Sequence, residues 1–416
     1  MNTKAAMAVR AVAFLLFQGV CLASIPLDTK CSEDHGIPNA GRSLLQLSPE
    51  KVNPEKVVDP KQVGALEIWS YTLPSIECEE DVGSPDNGLL ADKRIHLEAP
   101  TSSVNESAKK CGRLCVDNNA TIMYAIERLD GLGSTLGSLI LFMATAFSNS
   151  VGFGGLLHHR LQRANESDFK TMSTLMGLEY LDLVTTTPPK FRTCLHGLSE
   201  YGNHLGSLSK IRGTLLLDVY VHTRIREFAS DSVMTPDFLS RLRAQSGIWS
   251  VPAKHFKPET KYNVAVHLRR GDITPNSTRY PPVTWKARWA ADSEYLSVVE
   301  HVEAVLPSAD IHFFSVLEKP WTESDFDIFS SKAKHSVHLG GDDVSDWAHM
   351  AKADVLIMGP SSFSLVAALF NPKCVLNFKH FGKSKLSDWI EHDRGSFSME
   401  SIAQLQECVQ KRVLQH

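Results

Sequence analysis

The amino-acid sequence predicts an α/β protein built on parallel sheets with helices on both faces. Three observations lead there. The second half alternates strand-length and helix-length segments. Its strands are short and apolar throughout, as strands buried on both faces are. The chain is 416 residues long, too long for a single ordinary core, so two globular domains are expected.

The elements follow in order. Residues 1–23 form a secretory signal: Lys4 and Arg10 precede the apolar run Ala11–Val20, and Cys21-Leu22-Ala23 offers small residues at the cleavage positions. The alternative is a short signal anchor, but the run is short for a span. Residues 24–117 are rich in Pro, Ser, Asp and Lys and read as an irregular extension or stem, stapled by Cys31, Cys78, Cys111 and Cys115. An acceptor-side α/β domain is expected over 118–250. It has a strand at Thr121–Ile126, a glycine turn at Asp130–Ser134 and a helix at Leu136–Phe147, apolar at helical spacing. Helices are expected at Leu156–Gln162, Phe169–Leu183 and Thr235–Gln245, the last with Pro236 in its first turn, and a strand at Gly213–Val221. Gly247–Pro258 reads as a linker.

The second domain, 259–385, is the most regular part. Strands are expected at Tyr262–Leu268, Ile311–Val316, Ser336–Leu339, Asp354–Met358 and Cys374–Phe378. Helices fall at Ser293–Leu306, Asp325–Lys334, Val344–Ala351 and Ser364–Phe370. A helical tail, 386–416, closes the chain. Ligands of such a sheet bind beyond the carboxyl ends of its strands, so the loops after Leu268, Val316, Leu339 and Met358 should line one crevice.

Composition narrows the function. Forty-three Lys and Arg against 47 Asp and Glu leave a net charge of −4, which argues against a basic nucleic-acid binder. No apolar run after residue 25 is long enough to cross a bilayer, which argues against a multi-span membrane protein. Sequons at Asn105, Asn119, Asn165 and Asn276 fit glycosylated loops of a protein in the ER or Golgi lumen, or secreted. Seven cysteines remain after the signal, an odd number, so disulfides are permitted and at least one thiol is left over.

The sharpest motif is His267-Leu268-Arg269-Arg270-Gly271-Asp272, at the end of the first strand of the second domain. Two guanidiniums there suit phosphate oxygens. Asp272 is expected to pair most simply with Arg270, which leaves Arg269 for a ligand. Gly359-Pro360-Ser361-Ser362-Phe363 follows another strand and opens a helix, where backbone N–H groups and serine hydroxyls make an anion seat or an ordinary cap. Gly131-Leu132-Gly133 lacks the spacing of a dinucleotide fingerprint. It serves either as a tight turn or to let backbone approach a ligand across a cleft. Asp325-Phe326-Asp327 has the form of a metal-binding D-x-D but reads as a helix start, where acids are favoured. Trp285, Trp289 and Trp321 read as packing before sugar stacking.

These motifs, in this order, are similar to those of the GDP-fucose-dependent fucosyltransferase superfamily, which includes the α1,2-, α1,6- and protein O-fucosyltransferases. The resemblance covers Thr121 to Phe378 and implies a GT-B fold, two Rossmann-like domains facing a cleft. It implies an inverting glycosyltransferase using a nucleotide-sugar donor, GDP-fucose, with a glycan or glycoprotein acceptor and with neither cofactor nor metal. By the same resemblance Arg269 contacts the β-phosphate and His267 lies near the donor, with Arg270 and Gly271 completing the loop. Phe314 and Ser315 line the nucleotide pocket, and Asp346 and Asp354 contact guanine or support its loop. Ser361, Ser362 and Phe363 embrace the pyrophosphate, and Gly131 and Gly133 form the acceptor-side turn. Ser134-Thr135 stands where the α1,2 branch carries Asn-Gln. Asp272 is the nearest acid to a catalytic base, with a residue of the first domain as the other candidate. Another nucleotide sugar, or a carbohydrate-binding protein without catalysis, are the alternative readings.

Overall fold

The computed structural model describes residues 78–82, 114, 121–126, 131–157, 171, 174–178, 184–185, 190–196, 208–218, 231–274, 286–379 and 386–414. The signal segment, the four sequons, Cys31, Cys111, Cys115 and Trp285 lie outside them, as does most of the stem.

Two six-stranded sheets, parallel throughout, form the frame. The first contains β1 (Cys78–Val82), β2 (Thr121–Ile126), β3 (Gly152–Leu157), β4 (Val184–Thr185), β5 (Phe191–His196) and β6 (Gly213–Asp218), in the spatial order β1-β5-β6-β2-β3-β4. Two sequence expectations are corrected here. Strand β1 falls inside the stretch read as irregular and pairs with β5. Leu156 and Leu157, expected to open a helix, end a strand. Its Gly-Phe-Gly-Gly start masks the period, and its burial on both faces removes any alternation.

The second sheet contains β7 (Asn263–His267), β8 (Asp310–Ser315), β9 (His335–Leu339), β10 (Val355–Ile357), β11 (Cys374–Phe378) and β12 (Ile390–His392), ordered β12-β11-β10-β7-β8-β9. Counted from its own first strand this is the 3-2-1-4-5-6 order of a Rossmann sheet, and the order reverses between β7 and β10. At such a switch point the flanking loops diverge to opposite faces and leave a crevice. The expected pair of Rossmann-like halves facing a cleft is the architecture found.

Helix α1 (Leu132–Ser148) is apolar almost all round and correspondingly buried. It packs against α5 (Ser362–Phe370) of the second half. In chain order α2 (Pro236–Gln245), α3 (Asp292–Val305) and α4 (Asp343–Lys352) come between these two, and α6 (Met399–Arg412) follows. Thr235 caps α2, accepting from Phe238 N at 3.3 Å, with Pro236 at the first helical position as expected. Arg243 of α2 donates to Leu369 O at 2.9 Å and Asn371 O at 3.1 Å, satisfying carbonyls at the end of α5. One apolar core runs from Leu139 and Phe142 of α1 through to Leu365 and Ala368 of α5. The expected linker is docked: Gly247–Ser250 is a 3₁₀ turn that buries Ile248, and Lys352 Nζ donates to Trp249 O at 3.1 Å. Cys374 and Cys408 form a disulfide that ties β11 to α6, and Cys194 is also disulfide-bonded.

Candidate active site at the sheet switch point

The chain leaves β7 at His267 and turns at Gly271, whose φ of +69° lies in the left-handed region that favours glycine. A Cβ there would also stand 2.9 Å from Val316 Cγ1. This turn presents the two arginines in different directions.

Arg270 goes inward. Its side chain is 1% exposed and ion-paired with Asp292. It is walled by Trp289, Trp321 and Tyr295, with ring centroids 4.5, 5.2 and 5.5 Å from the guanidinium carbon. Arg269 goes outward. Its Nη2 donates to Asp272 Oδ1 at 2.7 Å and its Nη1 to Ser361 Oγ at 3.1 Å, while Nε has no partner among the described residues. The expected Arg270–Asp272 pair is thus corrected: Asp272 braces Arg269, and Asp292 neutralises Arg270. Arg269 remains a quarter exposed despite its carboxylate. Trp289 and Trp321 are packing residues, as read: they stack on each other, centroids 6.0 Å apart, beside the buried cation.

A cleft of about 330 Å³ opens above the strand ends, lined by residues 267–272, Phe314, Ser315, Val316, Glu318, Gly340, Gly341, Asp343, Asp346 and Phe363. A second, of about 210 Å³, lies between the starts of α1 and α5, lined by residues 131–134, Arg269, Arg288, Asp343 and residues 360–363. Arg269, Asp343 and Phe363 line both.

The helix starts explain the second cleft. Gly131 caps α1 without a side-chain hydrogen bond, and neither α1 nor α5 carries an acid in its first turn. Two positive helix ends therefore face one space. Ser361 caps α5, accepting from Phe363 N at 3.2 Å, and its hydroxyl also receives Arg269, so the cap of the second helix meets the cation of the first loop. Gly133 permits the approach: a Cβ on it would lie 2.6 Å from Phe363 Cα. Ser134 Oγ, on the cleft wall, is buried without a partner among the described residues.

Two ionisable groups are displaced from their ordinary ranges. Burial, with Arg269 and Arg270 adding to it, pushes the His267 imidazole down to about 3, so it is uncharged near neutral pH. Its ring lies 5.4 Å from Phe363, which in turn stacks on Trp347 at 4.5 Å. Asp346 projects from α4 into the first cleft. Burial, then its neighbours Asp343 and Asp342, raise its carboxyl to about 7. Ser315 Oγ donates to Leu268 O at 2.9 Å and holds two of the cleft loops together.

Behind Phe314 four imidazoles stack. His255 lies 3.9 Å from His338 and 4.8 Å from His349, ring to ring, and His312 Nδ1 lies 3.1 Å from His338 Nε2. Among the described residues no group of three or more His, Cys, Asp or Glu is arranged to hold a metal ion.

One expected donor residue is elsewhere. Asp354 precedes β10, at the amino end of the sheet, where it accepts from Asn263 N at 2.8 Å and pairs with Lys373 at 2.6 Å. It closes the bottom of the sheet and lines neither of the two clefts. The other expected residues converge, and the sequence reading missed three that line the clefts with them: Asp343, Arg288 and Glu318. All three follow the motif strands at variable distance in polar loops or helix starts, where acids and bases are common, so no local pattern singles them out.

No protein-family model and no curated protein matches the chain. Solved structures do. A point mutant of Arabidopsis thaliana FUT1 in complex with GDP is 11% identical over 71% of this chain and 76% of its own, with a TM-score of 0.36. A glycosyl transferase family 9 protein from Veillonella parvula is 10% identical over 71% and 98%, with a TM-score of 0.38. The E. coli heptosyltransferase WaaC with ADP is 13% identical over 71% and 100%, with a TM-score of 0.31. What those proteins bind is a property of those proteins.

Proposed function

We propose that this chain is an inverting glycosyltransferase of the secretory lumen. It transfers fucose from GDP-fucose to a hydroxyl of a glycan or glycoprotein and uses no metal. The observation that carries this reading is the position of Arg269. A permanent cation, held from both sides by Asp272 and Ser361, stands at the switch point of a Rossmann sheet where two helix starts converge.

The chemistry follows from that position. As the bond between the sugar carbon and the β-phosphate oxygen breaks, its electron pair goes to the diphosphate. Arg269 and the N–H of Ser362, the first residue of α5, are placed to take up that charge without reorganising, while the Ser361 N–H donates to Gly359 O at 2.7 Å and holds the turn. Removing one such donor costs about 3 kcal/mol of transition-state stabilisation. The first cleft holds the nucleoside, between Phe314, the Ser315 loop and Asp346. His267, neutral and buried, offers a hydrogen bond without adding charge.

Calorimetric titration with GDP and other nucleoside diphosphates, followed by transfer assays on a glycan array, tests the reading. GDP preference with fucosyl transfer unaffected by EDTA is expected. Binding of GDP without turnover marks a non-catalytic relative, preference for another nucleotide changes the donor, and no nucleotide binding overturns the proposal.

A further inference from the structure

Resting on that reading, we infer that Asp343 is the general base that takes the proton from the acceptor hydroxyl. The argument is one of place. Three residues line both clefts. Arg269 serves the leaving diphosphate, and Phe363 is the apolar partition, fixed by Trp347 whose Nε1 donates to Phe363 O at 2.8 Å. Asp343 is the third, and the one carboxylate among the described residues that line the second cleft. The sugar carbon must lie where the donor cleft ends and the acceptor cleft begins, because bond breaking and bond making share that atom. A base has to reach that junction from the acceptor side. Asp272, Glu318 and Asp346 line the donor cleft alone.

The first turn of α4 suits the role. Asp342 caps the helix, accepting from Ser345 N at 2.9 Å, so Asp343 follows on a fixed backbone at a helix end that favours a carboxylate. Acids in first turns are common, as Asp292 and Glu294 of α3 illustrate. What separates Asp343 is the junction it faces. Its charged surroundings are Asp342 and Asp346 on its own side, Arg269 and Arg288 across the second cleft, and Asp272 and Glu318 across the first.

The step balances as follows. The acceptor oxygen bonds to the sugar carbon as the carbon–oxygen bond to the β-phosphate breaks. GDP leaves with the electron pair. The hydroxyl proton passes to the Asp343 carboxylate and from there to water.

The test compares wild type, Asp343→Asn, Asp343→Glu and Asp272→Asn, each for GDP affinity by calorimetry and for GDP release from GDP-fucose with an array-selected acceptor or with water. Asp343→Asn should keep GDP affinity within about threefold, showing that the donor site is folded. It should lower kcat at least 100-fold and abolish the acid limb of the kcat–pH profile measured at saturating donor. Asp343→Glu should restore part of the rate. Asp272→Asn, through Arg269, should weaken donor binding and keep the acid limb. Turnover of Asp343→Asn within fivefold of wild type, or an unchanged acid limb, overturns the assignment. A wild type that binds GDP but releases none from GDP-fucose overturns the base and leaves the nucleotide site standing. A wild type that binds no GDP overturns both.

Discussion

The two adjacent arginines divide one motif into a cleft-facing group and a structural one, and they should fail differently. Arg269→Ala should leave the protein folded and lower turnover by 10²–10³-fold, about 3 to 4 kcal/mol, measured as kcat/KM for the donor. Arg270→Ala empties an aromatic cage and strips Asp292 of its cation. With Asp292 40% exposed the cost is nearer 2 to 3 kcal/mol than the full penalty of an unpaired buried charge, read by thermal or urea unfolding. The motif itself was legible, because strand, arginines and glycine are contiguous. The pairing within it was not: Gly271 at positive φ sends Arg269 back over Asp272, a turn that residue types alone do not reveal. Asp354 was misplaced for a similar reason, since a residue beside a strand gives no hint of which end of the sheet matters to it. Asp346 carries a pH prediction. Burial and its acidic neighbours raise its carboxyl to about 7, and in the proposed donor site the N–H groups of guanine would favour the ionised form. GDP affinity should therefore rise as pH climbs through 7 and weaken below it, and Asp346→Asn should flatten that dependence in titrations at pH 6 and 8.

At the scale of elements, the meeting of α1 and α5 sets the second cleft. Gly133→Ala would drive a methyl into the backbone of Phe363, and backbone cannot swing aside as a long side chain can. Loss of transfer with at least 1 to 3 kcal/mol of destabilisation is expected, the range of overpacked cores, with GDP affinity falling because Phe363 moves. The regular second half was readable because each strand is a compact apolar run between helix signals, and Cys374–Phe378 has the very bounds expected. The first half was less readable. Strand β5, Phe-Arg-Thr-Cys-Leu-His, mixes polar and apolar residues, and β1 lies in a segment whose composition suggests no order. Both are strands because neighbours pair with them, which is a tertiary cause.

At the scale of the molecule, acid should be the weakness. His312, His338 and His349 are held down at about 4, 3 and 4, first by burial. The folded form keeps them neutral while the unfolded chain takes up protons from about pH 6.5 downward. Their stabilisation is complete above that value and drains away as pH falls toward 4. Melting temperature should drop steeply across that window, and His338→Phe, which keeps the stack without the proton site, should soften the drop. Opening the Cys374–Cys408 bridge, whose ends are 34 positions apart in sequence, should cost about 3 to 4 kcal/mol in unfolding under reducing conditions. Length alone pointed to two halves, but nothing in the chain's patterning indicated how tightly they share their interior, since α1 reads as apolar without saying what covers it.

That shared interior has a mechanical consequence. Halves fused through α1, α2 and α5 cannot swing apart like a book without wetting Phe142, Leu365 and their neighbours. Substrates must come and go by small rearrangements of loops around a stiff spine, and in a calorimeter the two sheets should melt together as one endotherm rather than in two steps.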